Sequence, residues 1–216
     1  MKKIAVVLSG CGYLDGAEIT ESVSTLISLS ELGADYTVFA PDDNLSVVNH
    51  NTSEGESAER NILAEAARIS RGNVKPLTDL KVDDFDALVM PGGFGAAKNL
   101  SKFATAGSGG EILLSVKEAI QGFHAESKPV GAICISPALV AMSLGDKGVE
   151  LTIGNDKDTA AEIEKTGAVH VDCEVTDYVT DRENKVITTP AYMYDAKPHE
   201  VFTGIRNMLK ELVEMA

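Results

Sequence analysis

The feature that most limits the fold of this chain is the run Ile-Ala-Val-Val-Leu at residues 4–8, apolar at every position. A strand with one wet face alternates apolar and polar side chains. A strand that is apolar throughout is covered on both faces, as in a parallel sheet packed between helices. Similar short runs return at residues 36–40, 86–90 and 129–134. Between them the pattern turns helical. Residues 17–32 place Ile19, Val23, Leu26, Ile27 and Leu29 near i, i+3/i+4 intervals, and Gly33 follows where a left-handed residue ends a helix. This alternation specifies an α/β fold, a mostly parallel sheet with helices on both faces.

The other segments are weaker in signal. Residues 44–55 are polar and read as a long loop, a length often tied to function. Residues 57–71 read as a helix with Ile62, Leu63, Ala66 and Ala67 inward and Gly72 at its end. Further helices are expected at 111–124, 137–143 and 198–213, the last striped by Val201, Phe202, Ile205, Leu209, Leu212 and Val213. Thr159 and Glu162 have capping-box spacing and open a short helix that Gly167 closes. Strands at 169–175 and 185–189 are expected to pair as a hairpin about residues 181–184. No repeat or linker interrupts the chain, so residues 1–216 are expected to form a single domain.

Charge and cysteine content narrow the function. The chain carries 33 acidic against 19 basic residues, a net charge of −14. Nucleic acids and anionic lipid both select basic faces, so neither is an expected partner. No apolar run reaches the ~18 residues of a membrane span, and the opening run is short for a secretory signal. Cys11, Cys134 and Cys173 are odd in number, form no C-x-x-C pair and lack zinc-ligand spacing. The expectation is a cytoplasmic protein with no metal site and no disulfide framework.

In open parallel sheets ligands bind beyond the carboxyl ends of the strands, which directs attention to three segments. The first is Ser9-Gly10-Cys11-Gly12-Tyr13-Leu14-Asp15-Gly16-Ala17-Glu18. Its glycines are spaced one residue too widely for the dinucleotide fingerprint, and Glu18 opens a helix whose dipole favours a carboxylate. The second is Pro91-Gly92-Gly93-Phe94-Gly95, where glycine lets a backbone N–H approach a ligand and hold an oxyanion. The third is Gly131-Ala132-Ile133-Cys134-Ile135-Ser136-Pro137. A buried strand ends at Cys134 and a helix starts within three residues, which is nucleophile-elbow order with Cys in place of Ser. A helix N-terminus there is expected to lower the thiol pKa; a buried structural cysteine is the alternative reading.

Eight stretches carry a family resemblance: LSGCG-x-x-DG-x-E at 8–18, APD at 40–42, VNHxT at 48–52, EAARIxRG at 65–72, PGGFGAAKNLSxFA at 91–104, CIxPA at 134–138, LTIGxDxDTA at 151–160 and TTPAYM at 188–193. By these the chain resembles the class I glutamine amidotransferase-like superfamily, in its ThiJ/PfpI branch, and more closely the bacterial ElbB proteins, named for enhancing lycopene biosynthesis. The resemblance implies a flavodoxin-like three-layer sandwich with a reactive cysteine at Cys134 and a carboxylate beside it at Glu18. It implies oxyanion or substrate-binding amides at Gly93 and Ile135, with Gly92 adjoining, and a homodimer. Proteins of this kind are described as glyoxalases that need no cofactor and convert 2-oxoaldehydes to 2-hydroxy acids, so the expected partner is a small-molecule aldehyde.

Two departures qualify the resemblance. Ile135 stands where amidotransferases place a histidine after the nucleophile, and Ser136 stands where the elbow commonly has glycine. A glutaminase or peptidase triad is therefore not expected. His50, within VNHxT, is the histidine considered for the site; His124, His170 and His199 read as peripheral or unpartnered. Cys11 also follows a strand end, which leaves open a redox-sensing or small-ligand-binding protein in which Cys11 and Cys134 share a crevice.

Overall fold

A computed structural model describes residues 1–216. In chain order its elements begin with β1 Lys3–Val7, α1 Ile19–Glu31, β2 Asp35–Ala40, β3 Asn44–Val48 and β4 Gly55–Asn61. Next come α2 Ile62–Ile69, β5 Val74–Pro76, β6 Ala87–Met90, α3 Phe94–Lys98 and α4 Phe103–Ala106. The second half contributes α5 Leu114–Ala125, β7 Val130–Ile133, α6 Pro137–Leu144, β8 Glu150–Leu151 and α7 Lys157–Glu164. It closes with β9 Val169–His170, β10 Val179–Asp181, β11 Val186–Thr189 and α8 Pro198–Met215.

Seven strands form one sheet in the order β10-β11-β7-β6-β1-β2-β5. Every neighbouring pair is parallel except β10 with β11 at one edge. The central strands are buried along nearly their whole length, as their unbroken apolar runs require. Their pleat divides the core. Ala5, Val7, Leu88 and Met90 join α5 and α6 on one face, while Ile4, Val6, Ala87 and Val89 join α1, α2 and α8 on the other. The result is the expected α/β sandwich.

Helix α1 departs from its periodicity. Ile19, Val23 and Ile27 are exposed, at 47%, 39% and 52%, and the buried face is Glu21, Ser22, Ser24, Thr25, Ser28 and Leu29. Small side chains let α1 lie close to its neighbours. Two hydroxyls are satisfied within the helix, Ser22 Oγ donating to Glu18 O and Thr25 Oγ1 to Glu21 O. Turning this face inward carries Glu21 into the interior.

Other expectations are corrected. Residues 44–55 are not a long loop; they belong to the antiparallel hairpin of β3 and β4. Strand β4 is polar and exposed along its length, so it has no apolar alternation to announce it. Helix α2 therefore begins at Ile62 rather than 57, capped by Asn61, whose side chain accepts the Ala64 N–H. The cap of α7 is Asp156, accepting from Thr159 N at 2.8 Å, and not Thr159. Glu162 turns instead to Ser108 and Lys165. Residues 169–175 do not pair with β11. Strand β9 pairs in parallel with β8, and the hairpin about 181–184 is made by β10 and β11. Asp181 tightens that hairpin by accepting from Asn184 N, Asn184 Nδ2 and Glu150 N.

Candidate active site

The ends of β1, β6 and β7 converge on one cavity of about 490 Å³. Cys134 lies in its wall with Glu18, Gly93 and Ile135. Cys134 follows β7 directly and has φ +63°, a strained value for a non-glycine residue that marks a nucleophile elbow. Two hydrogen bonds and a helix-opening proline frame the strained turn. Cys134 N donates to Thr189 O at 2.9 Å, Ser136 Oγ donates to Pro91 O at 2.8 Å, and Pro137 opens α6.

The carboxylate that acts on the thiol is Glu21, whose Oε2 and Cys134 Cβ both crowd the side-chain position of Gly92. Its Oε2 accepts the Gly92 N–H at 2.9 Å and its Oε1 accepts the Tyr192 N–H at 3.3 Å. Burial, helped by the charge of Glu18, raises its pKa to about 8. The thiol is pushed well above the usual thiol range, first by burial and next by the charge of Glu21. The amides of Gly93 and Ile135, beside the sulfur, work in the opposite direction. The expected lowering by a helix N-terminus is thus overturned: α6 is short, and desolvation next to a carboxylate outweighs the amides. Thiol and carboxyl titrate as a pair that gives up its second proton only at high pH.

Glu18 lies three residues earlier, in the same cavity wall, but its fixed contact is as the cap of α1. Its Oε2 accepts the Glu21 N–H at 2.7 Å. Partial burial raises its pKa. Apolar spacing does not reveal Glu21, because it turns the wrong face of α1 inward; the available signal is a second carboxylate one turn beyond Glu18. Gly92 is a positioning residue rather than an oxyanion donor, since its N–H is taken by Glu21 and its carbonyl accepts the Glu18 N–H at 3.0 Å. A side chain at Gly92 would meet Cys134 Cβ at 2.5 Å. At Gly93, φ is +92° and a Cβ would meet Glu18 N at 2.4 Å. Both glycines are dictated by close approach.

Cys11 and His50 lie apart from this wall. Cys11 is half-buried, and the charges acting on it are those of Glu65, Arg68, Asp15 and Arg60. Cys11 does not line the cavity that Cys134 lines. His50 Nε2 accepts the Leu14 N–H at 3.2 Å, its Nδ1 lies 3.0 Å from Val48 O, and its ring meets Tyr13 edge-on. It fastens the β3–β4 hairpin to the turn after β1, and only Tyr13 of this group reaches the cavity. His50 also fills the space beside Gly12, so the glycines of that turn admit protein groups instead of a pyrophosphate. None of the four histidines lines the cavity, and no three His, Cys, Asp or Glu side chains gather as a metal site.

A parallel sheet with an elbow cysteine facing a buried carboxylate defines a class of α/β sandwich built around a thiol. The chain belongs to the DJ-1/PfpI family, whose model matches residues 2–195. It is 42% identical to the human mitochondrial glutamine amidotransferase-like class 1 domain-containing protein 3, over 99% of this chain and 83% of that protein. It is 41% identical to the rat mitochondrial ES1 protein homolog, over 99% of this chain and 84% of that one. Among solved structures it is similar to an Ehrlichia chaffeensis isoprenoid biosynthesis protein with an amidotransferase-like domain, with TM-score 0.93, 39% identity and coverage of 100% of this chain and 99% of the other. The flavodoxin-like expectation agrees with that fold. The cytoplasmic expectation is corrected: the rat, human and zebrafish relatives are all named as mitochondrial. No helix is long and apolar enough to cross a membrane.

Proposed function

We propose that this protein is a cysteine-dependent enzyme that converts small 2-oxoaldehydes to 2-hydroxy acids without a redox cofactor, in the manner of the ElbB-like glyoxalases it resembles. The observation that carries this reading is the buried Glu21 carboxyl, set with Cys134 around Gly92 beside a cavity of small-molecule size. Ionised Glu21 takes the thiol proton as sulfur attacks the aldehyde carbon. The Gly93 and Ile135 amides hold the oxygen that gains charge, and the proton then moves to that oxygen to complete a hemithioacetal. Glu21 next removes the hydrogen of the attacked carbon, giving an enediol, and returns a proton to the neighbouring carbon. The attacked carbon is oxidised to a thioester and its neighbour is reduced to an alcohol. Water hydrolyses the thioester, releasing the 2-hydroxy acid and the free thiol.

This gives Glu21 the place beside the thiol that the resemblance gives to Glu18. Separation of Cys11 from the cavity weighs against a sensor built on a Cys11–Cys134 pair, and the absence of histidine from the wall weighs against glutamine hydrolysis. The test is Cys134→Ser supplied with glyoxal or methylglyoxal, following glycolate or lactate. Product formation is expected to vanish with the fold intact by circular dichroism. Unchanged turnover would refute the covalent route.

A further inference from the structure

We infer that the cavity beside Cys134 selects ligands carrying a positive charge near their electrophilic carbon, and that Asp156 is the residue that sets this preference. The inference deepens the proposed function and rests on the same thiol. Two ionisable carboxyl side chains line the wall, Glu18 and Asp156, and no lysine, arginine or histidine does. Most of the remaining wall is apolar, with the rings of Tyr13, Phe94, Phe103 and Tyr192 among it. Aromatic faces and carboxylates without a competing base make surroundings suited to an alkylammonium group and hostile to a carboxylate or phosphate.

The two acids differ in role. Glu18 is tied to the Glu21 amide and partly desolvated. Asp156 is exposed, accepts the Thr159 N–H at 2.8 Å, and has its carboxyl held below the usual range by Thr159, so it carries its charge at neutral pH. Its position as cap of α7 fixes that charge in the wall. Lys98 is the cation to set against this. It is bound to Leu14 O at 3.0 Å and stands 5.0 Å from the Phe94 ring centre, outside the cavity lining.

The test uses three thiol reagents of one chemistry and different charge: aminoethyl, methyl and sulfonatoethyl methanethiosulfonate. In each the thiol of Cys134 displaces methanesulfinate and forms a mixed disulfide. Rates are read by mass spectrometry in a Cys11→Ser, Cys173→Ser background and divided by the rates on free cysteine. The aminoethyl reagent is expected to exceed the sulfonatoethyl reagent by at least about tenfold. Asp156→Asn, which keeps an efficient helix cap, is expected to reduce that ratio about threefold. Glu214→Gln, an exposed acid on α8, is expected to leave it unchanged. A ratio near one, a ratio indifferent to Asp156→Asn, or an equal response to Glu214→Gln would overturn the inference. Labelling needs no turnover, so charge selectivity without 2-hydroxy acid product refutes only the proposed reaction. Glyoxal turnover without charge selectivity refutes only this inference.

Discussion

The turn after β1 and the elbow after β7 each place a cysteine just beyond the end of a central parallel strand, yet their thiols meet opposite surroundings. Cys11 sits among Glu65, Arg68, Asp15 and Arg60, where charges of both signs act on it. Cys134 is buried against a single carboxyl group and two amides. The turn after β1 contributes to the site through the helix it leads into: Gly16 packs against Gly95, and Glu18 and Glu21 open α1 toward the thiol. A strand end supplies location; the group that faces the sulfur decides what chemistry is available.

Several substitutions should break or sharpen this contrast. The largest effect after Cys134→Ser is expected from Glu21→Gln, with a loss of about 10²–10⁴ in turnover of glyoxal measured by glycolate formation. Glu18→Gln is expected to lose less, since a glutamine oxygen still accepts the Glu21 N–H and caps α1. Equal losses would put Glu18 in the proton transfer too. Within α1, Leu29→Ala should cost about 2–5 kcal/mol in urea unfolding. Ile27→Ala, on the exposed face, should stay within about 0.5 kcal/mol. Reversal of that order would restore the face that the apolar spacing suggests. Cys11→Ser should leave turnover unchanged; a loss as deep as that of Cys134→Ser would reunite the two thiols in one site.

Proton linkage gives a further contrast. The folded pKa of Glu21 is raised from 4.5 to about 8, so its contribution to stability is fully present below pH 4.5 and is lost as pH climbs through about 8. Glu162 and Asp181 run the other way, with lowered values whose contribution is lost in acid. Wild-type stability measured against that of Glu21→Gln should therefore decline between pH 4.5 and about 8. A flat difference would mean that Glu21 is not desolvated. Turnover is expected to rise across the upper part of this range, as the carboxyl becomes a base.

The sequence marks the central sheet clearly because strands covered on both faces must be apolar throughout, and it marks the elbow because Cys134 and Pro137 stand at a strand-to-helix junction. Ile135 follows from that junction, and Gly93 from the glycine turn that ends β6. Glu21 does not, because α1 buries serine and threonine and exposes Ile19, Val23 and Ile27, and periodicity reads only apolar burial. The TTPAYM stretch is legible as a motif but not as a contact. Its Tyr192 amide proves to hold the Glu21 carboxyl, across 171 residues of chain. Strand β4 leaves no such mark, because an exposed polar strand is held by backbone pairing and shows no side-chain pattern.

The central claim is that Cys134 and Glu21 form one coupled proton pair. Its most direct test is the rate of Cys134 alkylation by iodoacetamide as a function of pH, in the wild-type protein and in Glu21→Gln. A coupled pair requires the wild-type thiol to titrate above the ordinary thiol range, and requires removal of the carboxylate charge to move that titration downward. A wild-type thiolate already formed below pH ~6.5, against an ordinary thiol near ~8.5, or a titration that Glu21→Gln leaves in place, would contradict it.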